Sequence, residues 1–393
     1  MTPLAILKEL VSIASVNPMG RELNPSEMYE SRVSEYLVGL FNSHNMQCER
    51  IEVQPGRSNV VARVEGTAGM PTILLDAHQD TVPVDGMSIH PFEPLECDGR
   101  LYGRGACDVK GGMAAMICAL DRLSSSAQVR RPTVVMACTC DEELDQLGAQ
   151  SIVGSLEGGP GHSLQLLPSL PDMAVVAEPT KLNVGIAHRG VVRWKLCTKG
   201  VAAHSSDPRQ GENAIYRMAR LLNVIEQYAA SLDMATPIRD DYCGPPALSV
   251  GVIAGGECVN IVPAWCSIEI DRRTLPSEQA SQVMMDLDSH LRERVDFEFE
   301  MKPPTTVAPG LSPEHNSDLA AELLQASRTV CSSSRIAGLP FTTHAPRYAL
   351  AGIPTVVFGP GSIEQAHTCD EWIAIEQLEQ ATEILYRFLC SFK

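Results

Sequence analysis

Short, nearly continuous apolar runs alternate with amphipathic stretches through the first 182 residues. SNVVARVEG, PTILLDA, PTVVMACT and DMAVVAE lack a polar alternation, so they read as strands buried on both faces. The segment after Thr2, the stretch from Ser26 to Ser43 and GGMAAMICALDRL repeat apolar residues at helical spacing, and Pro3 suits the first position of a helix. Strands separated by helices predict an α/β sheet covered on both sides.

Between residues 183 and 302 the order changes. Strand GVVRWKLCTKG, helix ENAIYRMARLLNVIEQYAASL, strands ALSVGVIAGG and AWCSIEIDRR, helix SEQASQVMMDLDSHLRERV and strand VDFEFEMK follow one another. That β-α-β-β-α-β order is the split βαβ, ferredoxin-like α+β unit. Pro303 and Pro304 end it, and a helix from Ser317 to Val330, the strand IPTVVFGPG and a helix from Ile375 to Phe392 return to the first style. The predicted organisation is a discontinuous domain, 1–182 with 303–393, carrying 183–302 as an insert.

Chemistry collects at the ends of the apolar runs. His78 and Asp80 close LLDAHQD, Asp108 lies in GRGACDVKGG, Glu142 and Glu143 in CTCDEEL, Glu178 in VVAEPT and His367 in GPGSIEQAH. Taken singly, each has a plain structural reading: Asp108 as a helix cap, Glu142 and Glu143 as the acidic first turn of a helix from Asp141, His367 as a surface residue. Capping does not explain why so many sheet ends finish in His, Asp or Glu. Open α/β sheets place ligands at strand ends, and imidazoles with carboxylates are donors that zinc accepts. Two zinc ions would be balanced by Asp108, Glu143, Glu178 and one hydroxide.

Composition removes other classes. The 393 residues exceed one hydrophobic core, and 44% hydrophobic with 20% charged residues is a globular balance. A net charge of -17 repels phosphates, which argues against nucleic acid and anionic membranes as partners. The glycine-rich GRGACDVKGG satisfies neither nucleotide-loop spacing. No apolar run reaches membrane-spanning length and no signal peptide is visible, so a cytoplasmic location is expected. Thirteen cysteines, many inside apolar runs such as Cys118, Cys138, Cys197 and Cys266, suit reduced buried thiols. Cys107, Cys140 and Cys369 neighbour the proposed ligands and are expected to pack rather than bind metal.

In chain order, HQD, GRGACDVKGG, DEE, AEPT and AH resemble the motifs of the cocatalytic zinc aminoacylases and exopeptidases, peptidase family M20, over nearly the whole length. AHSSDPRQGENAI and GPGSIEQAHTCDE are similar to the versions in acetylornithine deacetylases. The resemblance implies a zinc-exopeptidase-like catalytic domain holding two zinc ions per chain, with cobalt as an alternative, and a homodimer formed through the insert at 183–302. It implies His78 and Glu178 on one ion, Glu143 and His367 on the other, Asp108 bridging them, and a cis Asp108–Val109 peptide. Glu142 would be the general base, with Asp80 supporting His78; the residues alone leave open which of Glu142 and Glu143 is the base. His204 would reach the partner subunit's site as an oxyanion donor. Asn260 and Arg273 would hold the substrate's α-carboxylate, with Arg272 turned to solvent. Gly359 to Ser362 would form a turn that lets substrate approach. His344 in PFTTHAP stands where relatives carry an acid, beside the substrate side chain. The implied reaction is hydrolysis of a small N-acyl amino acid, first N-acetylornithine in arginine biosynthesis. Desuccinylation of succinyl-diaminopimelate, other N-acyl substrates, peptide cleavage by a dipeptidase or carboxypeptidase, and a non-catalytic metal scaffold are the alternatives.

Overall fold

The uninterrupted apolar runs do become strands with both faces covered. In the computed structural model, which describes residues 1–21, 28–126, 130–158, 164–234 and 241–392, the chain forms two compact units. One is Met1–Ile186 with Pro313–Ala337 and Thr343–Lys393; the other is Ala187–Ser312 with Gly338–Thr342.

The first unit is built on an eight-stranded sheet in the order Gln47–Gln54, Arg57–Val64, Thr133–Thr139, Thr72–His78, Met173–Val176, Thr355–Val357, Val184–His188 and Ile336–Leu339. Its centre is parallel. Thr133–Thr139 is buried along its whole length, as a strand roofed on both faces requires. Helix Pro3–Ser12 is capped by Thr2, whose Oγ1 accepts from Ala5 N at 3.3 Å. The helix expected from Ser26 begins at Ser31 and runs to Ser43, with residues 26 and 27 outside those described.

Helix Lys110–Ser124 holds Gly111 and Gly112 in its first turn. A Cβ on Gly112 would sit 2.9 Å from Ala177 Cβ, so the glycine serves helix-to-sheet packing. Strand Gln47–Gln54 carries no apolar run because it is a sheet edge, with Ile51 its one buried residue.

The second unit pairs Ala247–Gly255, Trp265–Thr274, Gly190–Lys199 and Phe299–Met301 in that order, with helices Ala214–Met234 and Ala280–Arg292. Trp194, Ile268, Ile270, Met218, Leu221 and Leu287 fill its core. Strict alternation along Trp265–Thr274 puts Cys266, Ile268, Ile270 and also Arg272 on the inner face. Arg272 is therefore buried, not turned to solvent, and donates to Glu278 Oε1 at 2.8 Å. Among the described residues no helix is long and apolar enough to cross a membrane.

Candidate metal centre

Register brings the first donors together. Thr72–His78 and Thr133–Thr139 run parallel from Thr72 opposite Thr133 to His78 opposite Thr139, and Asp76 lies opposite Val176 on the other side. The strands therefore end at one level, where a parallel sheet opens a crevice. Just past that level the chain delivers Asp141–Glu143 after one strand and Glu178 after the other. Gln79 N donates to Thr139 O at 2.8 Å and Ala177 N to Asp76 O at 2.7 Å, so the exits are held as firmly as the strands.

Asp108 sits between two imidazoles. His78 Nε2 lies 3.1 Å from its Oδ1, and His367 Nε2 lies 3.3 Å from its Oδ2. His367 Nε2 is also 3.3 Å from Glu143 Oε2. The ligand atoms of His78, Asp108 and Glu143 all fall within 4.8 Å of one another, as do those of His78, Glu142 and Glu178. Each oxygen of Asp108 faces a different imidazole, as a carboxylate bridging two cations would.

The electrostatics favour cations. Burial pushes Glu143 up to about 7, and the neighbouring Asp108 adds to the rise. Burial likewise drives Glu178 well above the carboxylate range, helped by Asp108 and Glu142. His367 rises to about 11 through its contacts with Asp108 and Glu143. Burial disfavours a charged His78, yet the carboxylates of Asp108 and Asp80 outweigh it and raise its pKa. The donors crowd more negative charge than the two imidazoles neutralise, so they fit divalent ions.

Support comes from residues with no ligand role. His78 Nδ1 is 2.9 Å from the backbone oxygen of Asp80 and 3.6 Å from its carboxylate, so the carbonyl is the nearer acceptor. The Asp80 carboxylate accepts from Asn17 Nδ2 at 2.9 Å, Glu142 N at 3.0 Å and Glu143 N at 3.2 Å. It thereby fixes the backbone of the DEE turn. Burial would raise its pKa, but His78 and Arg57 hold it at about 2. Arg57 joins Asp141 and Glu30 behind this layer.

The Asp108 loop hangs on Glu371, which the motif reading passed over. Glu371 accepts from Gly105 N at 3.0 Å, Cys107 N at 2.8 Å, Asp108 N at 3.0 Å and Arg104 Nη1 at 2.8 Å. The Asp108–Val109 peptide is cis, as the family resemblance implied. Glu371 is the last residue of GPGSIEQAHTCDE and leads into strand Trp372–Ala374.

His344 has no exposed surface. Its Nε2 lies 3.2 Å from Asp76 Oδ1 and its Nδ1 3.7 Å from Glu142 Oε1. At Gly359 a Cβ would fall 2.6 Å from the Glu178 backbone oxygen, so this glycine admits the neighbouring chain. Cys107 and Cys140 are buried and Cys369 is exposed, and burial raises the Cys107 thiol strongly.

His204, Asn260 and Arg273 belong to the second unit. His204 is exposed, and Ser206 N donates to its Nδ1 at 3.1 Å. The same Nδ1 lies 2.8 Å from Ser206 Oγ, so both contacts fall on that side of the ring. Arg273 Nε pairs with Asp271 Oδ1 at 2.8 Å, and Asn260 Oδ1 accepts from Cys258 Sγ at 2.7 Å.

The chain is similar to known proteins over most of its length. The profile of Peptidase family M20/M25/M40 matches residues 74–391. The chain is 30% identical over 402 residues to an acetylornithine deacetylase of Vibrio campbellii, covering 99% of this chain and 98% of that one. It is 32% identical over 341 residues to an acetylornithine deacetylase of Myxococcus xanthus, covering 85% and 84%. In structure it resembles the metallo-carboxypeptidase Sso-CP2 of Sulfolobus solfataricus, with a TM-score of 0.76, 18% identity and 98% of both chains covered.

Proposed function

The chain belongs to peptidase family M20/M25/M40, and from that premise we propose that it is a metal-dependent hydrolase removing the acyl group from an N-acyl amino acid, with N-acetylornithine as substrate. The observation that carries this reading is the pair of overlapping donor sets at the strand ends, joined to full-length similarity with acetylornithine deacetylases.

His78, Glu178, Asp108, Glu143 and His367 would hold two divalent ions, zinc by the nature of their donors. Such ions polarise an amide carbonyl and acidify water. Glu142, held through its backbone N–H by Asp80, takes a proton from the attacking water onto its carboxylate and passes it to the departing amine nitrogen. His204 donates to the developing oxyanion in the partner subunit's site, which makes the enzyme a homodimer through 183–302. Asn260 and Arg273 orient the substrate α-carboxylate, a task suited to a guanidinium fork. The free cysteines suit a reducing cytoplasm as the place of action.

The test is acetate release from N-acetyl-L-ornithine by the zinc-loaded protein beside Glu142→Gln at equal metal content. Turnover should fall by about 10² to 10⁴ in the variant. Activity that survives the substitution would remove Glu142 as base. A wild type inactive on acetylornithine but active on succinyl-diaminopimelate or another N-acyl amino acid would move the substrate and keep the reaction.

A further inference from the structure

Asp76, His344 and Glu142 form a line of side chains beneath the donor sets, and the chemistry above assigns no task to the first two. Asp76 lies in Thr72–His78 with no exposed surface. Thr139 Oγ1 donates to its Oδ1 at 2.7 Å and Tyr348 Oη donates to its Oδ2, so the carboxylate cannot rotate away. Its Oδ1 faces His344 Nε2 at 3.2 Å, and the His344 ring stands edge-on to Tyr348 with centroids 6.1 Å apart. The other ring nitrogen looks at Glu142 Oε1 across 3.7 Å.

Neither ring nitrogen of this fully buried imidazole makes a well-formed hydrogen bond. A buried polar group without a partner is costly, so the ring gains from any approach by Glu142. Hydrogen bonds of this kind tighten when substrate binds. Asp76 and Glu142 flank the ring, one carboxylate oxygen facing each nitrogen.

We propose that His344, set between Asp76 and Glu142, is a positioning residue that holds the Glu142 carboxylate toward the donor sets. The proposal rests on the reading of Glu142 as the base. It gives the position a task in orientation, since the side chain is walled off from solvent.

The test compares His344→Leu, His344→Asn and Glu142→Gln in the full-length zinc-loaded protein. Hydrolysis of an N-acetyl amino acid, zinc content and the low-field imidazole N–H resonances are followed together. Asn keeps an N–H near the Nδ1 position and Leu does not. In His344→Leu, kcat should fall about 30-fold with KM nearly unchanged, and His344→Asn should regain most of it. Zinc content should stay at the wild-type value. One low-field resonance should vanish in both His344 variants and shift in Glu142→Gln. Equal losses in the Leu and Asn variants, or a Leu variant within about twofold of wild type, would overturn the proposal. Should the Leu variant not fold, the Asn variant and the Glu142→Gln spectrum decide. A wild type that hydrolyses no N-acyl amino acid refutes the deacylase reading, while a His344 resonance indifferent to Glu142→Gln refutes the positioning contact.

Discussion

Glu371 carries more of the site than its place in the sequence suggests. Removing its carboxylate leaves three backbone N–H groups and the Arg104 guanidinium without their buried acceptor. Glu371→Ala should cost about 3 to 5 kcal/mol in denaturant unfolding, with Glu371→Gln less severe. A loss below about 1 kcal/mol would show that the Asp108 loop is held by other means. The donors themselves were readable because zinc chemistry admits few residue types, and His, Asp and Glu at apolar run ends stand out. Glu371 was not readable, since a carboxylate that accepts backbone N–H groups looks like any polar residue before a strand. Arg272 was misjudged although the alternation of Cys266, Ile268 and Ile270 already places it on the inner face.

Elements position these residues through close approach of backbones. Gly359 follows Thr355–Val357 and lies against Glu178, whose carboxylate belongs to one donor set. Gly359→Ala should destabilise the protein by about 1 to 3 kcal/mol and lower its zinc content, because the backbone of Glu178 must shift to admit the methyl group. Wild-type zinc content measured by mass spectrometry in that variant would separate Gly359 from the site. The central strands and most helices were legible from period and apolar content. Gly111 and Gly112 look locally like a turn signal, and only the close approach of Ala106 and Ile373 to the first and of Ala177 to the second explains them inside helix Lys110–Ser124. The edge strand Gln47–Gln54 escaped for want of two buried faces.

For the whole molecule, every proposed metal ligand lies in the first unit and His204 in the second. Calorimetry should resolve two transitions, with a chelator lowering the midpoint of one. Ligand at a hundredfold over Kd contributes about 3 kcal/mol to the state that binds it. Both midpoints indifferent to chelator would refute structural coupling of metal to the first unit. Mixing inactive His204→Ala with inactive Glu142→Gln subunits should restore activity if His204 serves the partner's site, and no recovery after proven exchange would exclude that role. The sequence by itself determined the types of element, their order and the donors, because periodicity and ligand chemistry are local properties of a chain. Only the tertiary structure decided that Asp108 faces both imidazoles, that Glu371 bears its loop and that His344 stands between Asp76 and Glu142. Those relations join segments tens to hundreds of residues apart, and burial and distance between them exist only once the sheet has aligned its strand ends.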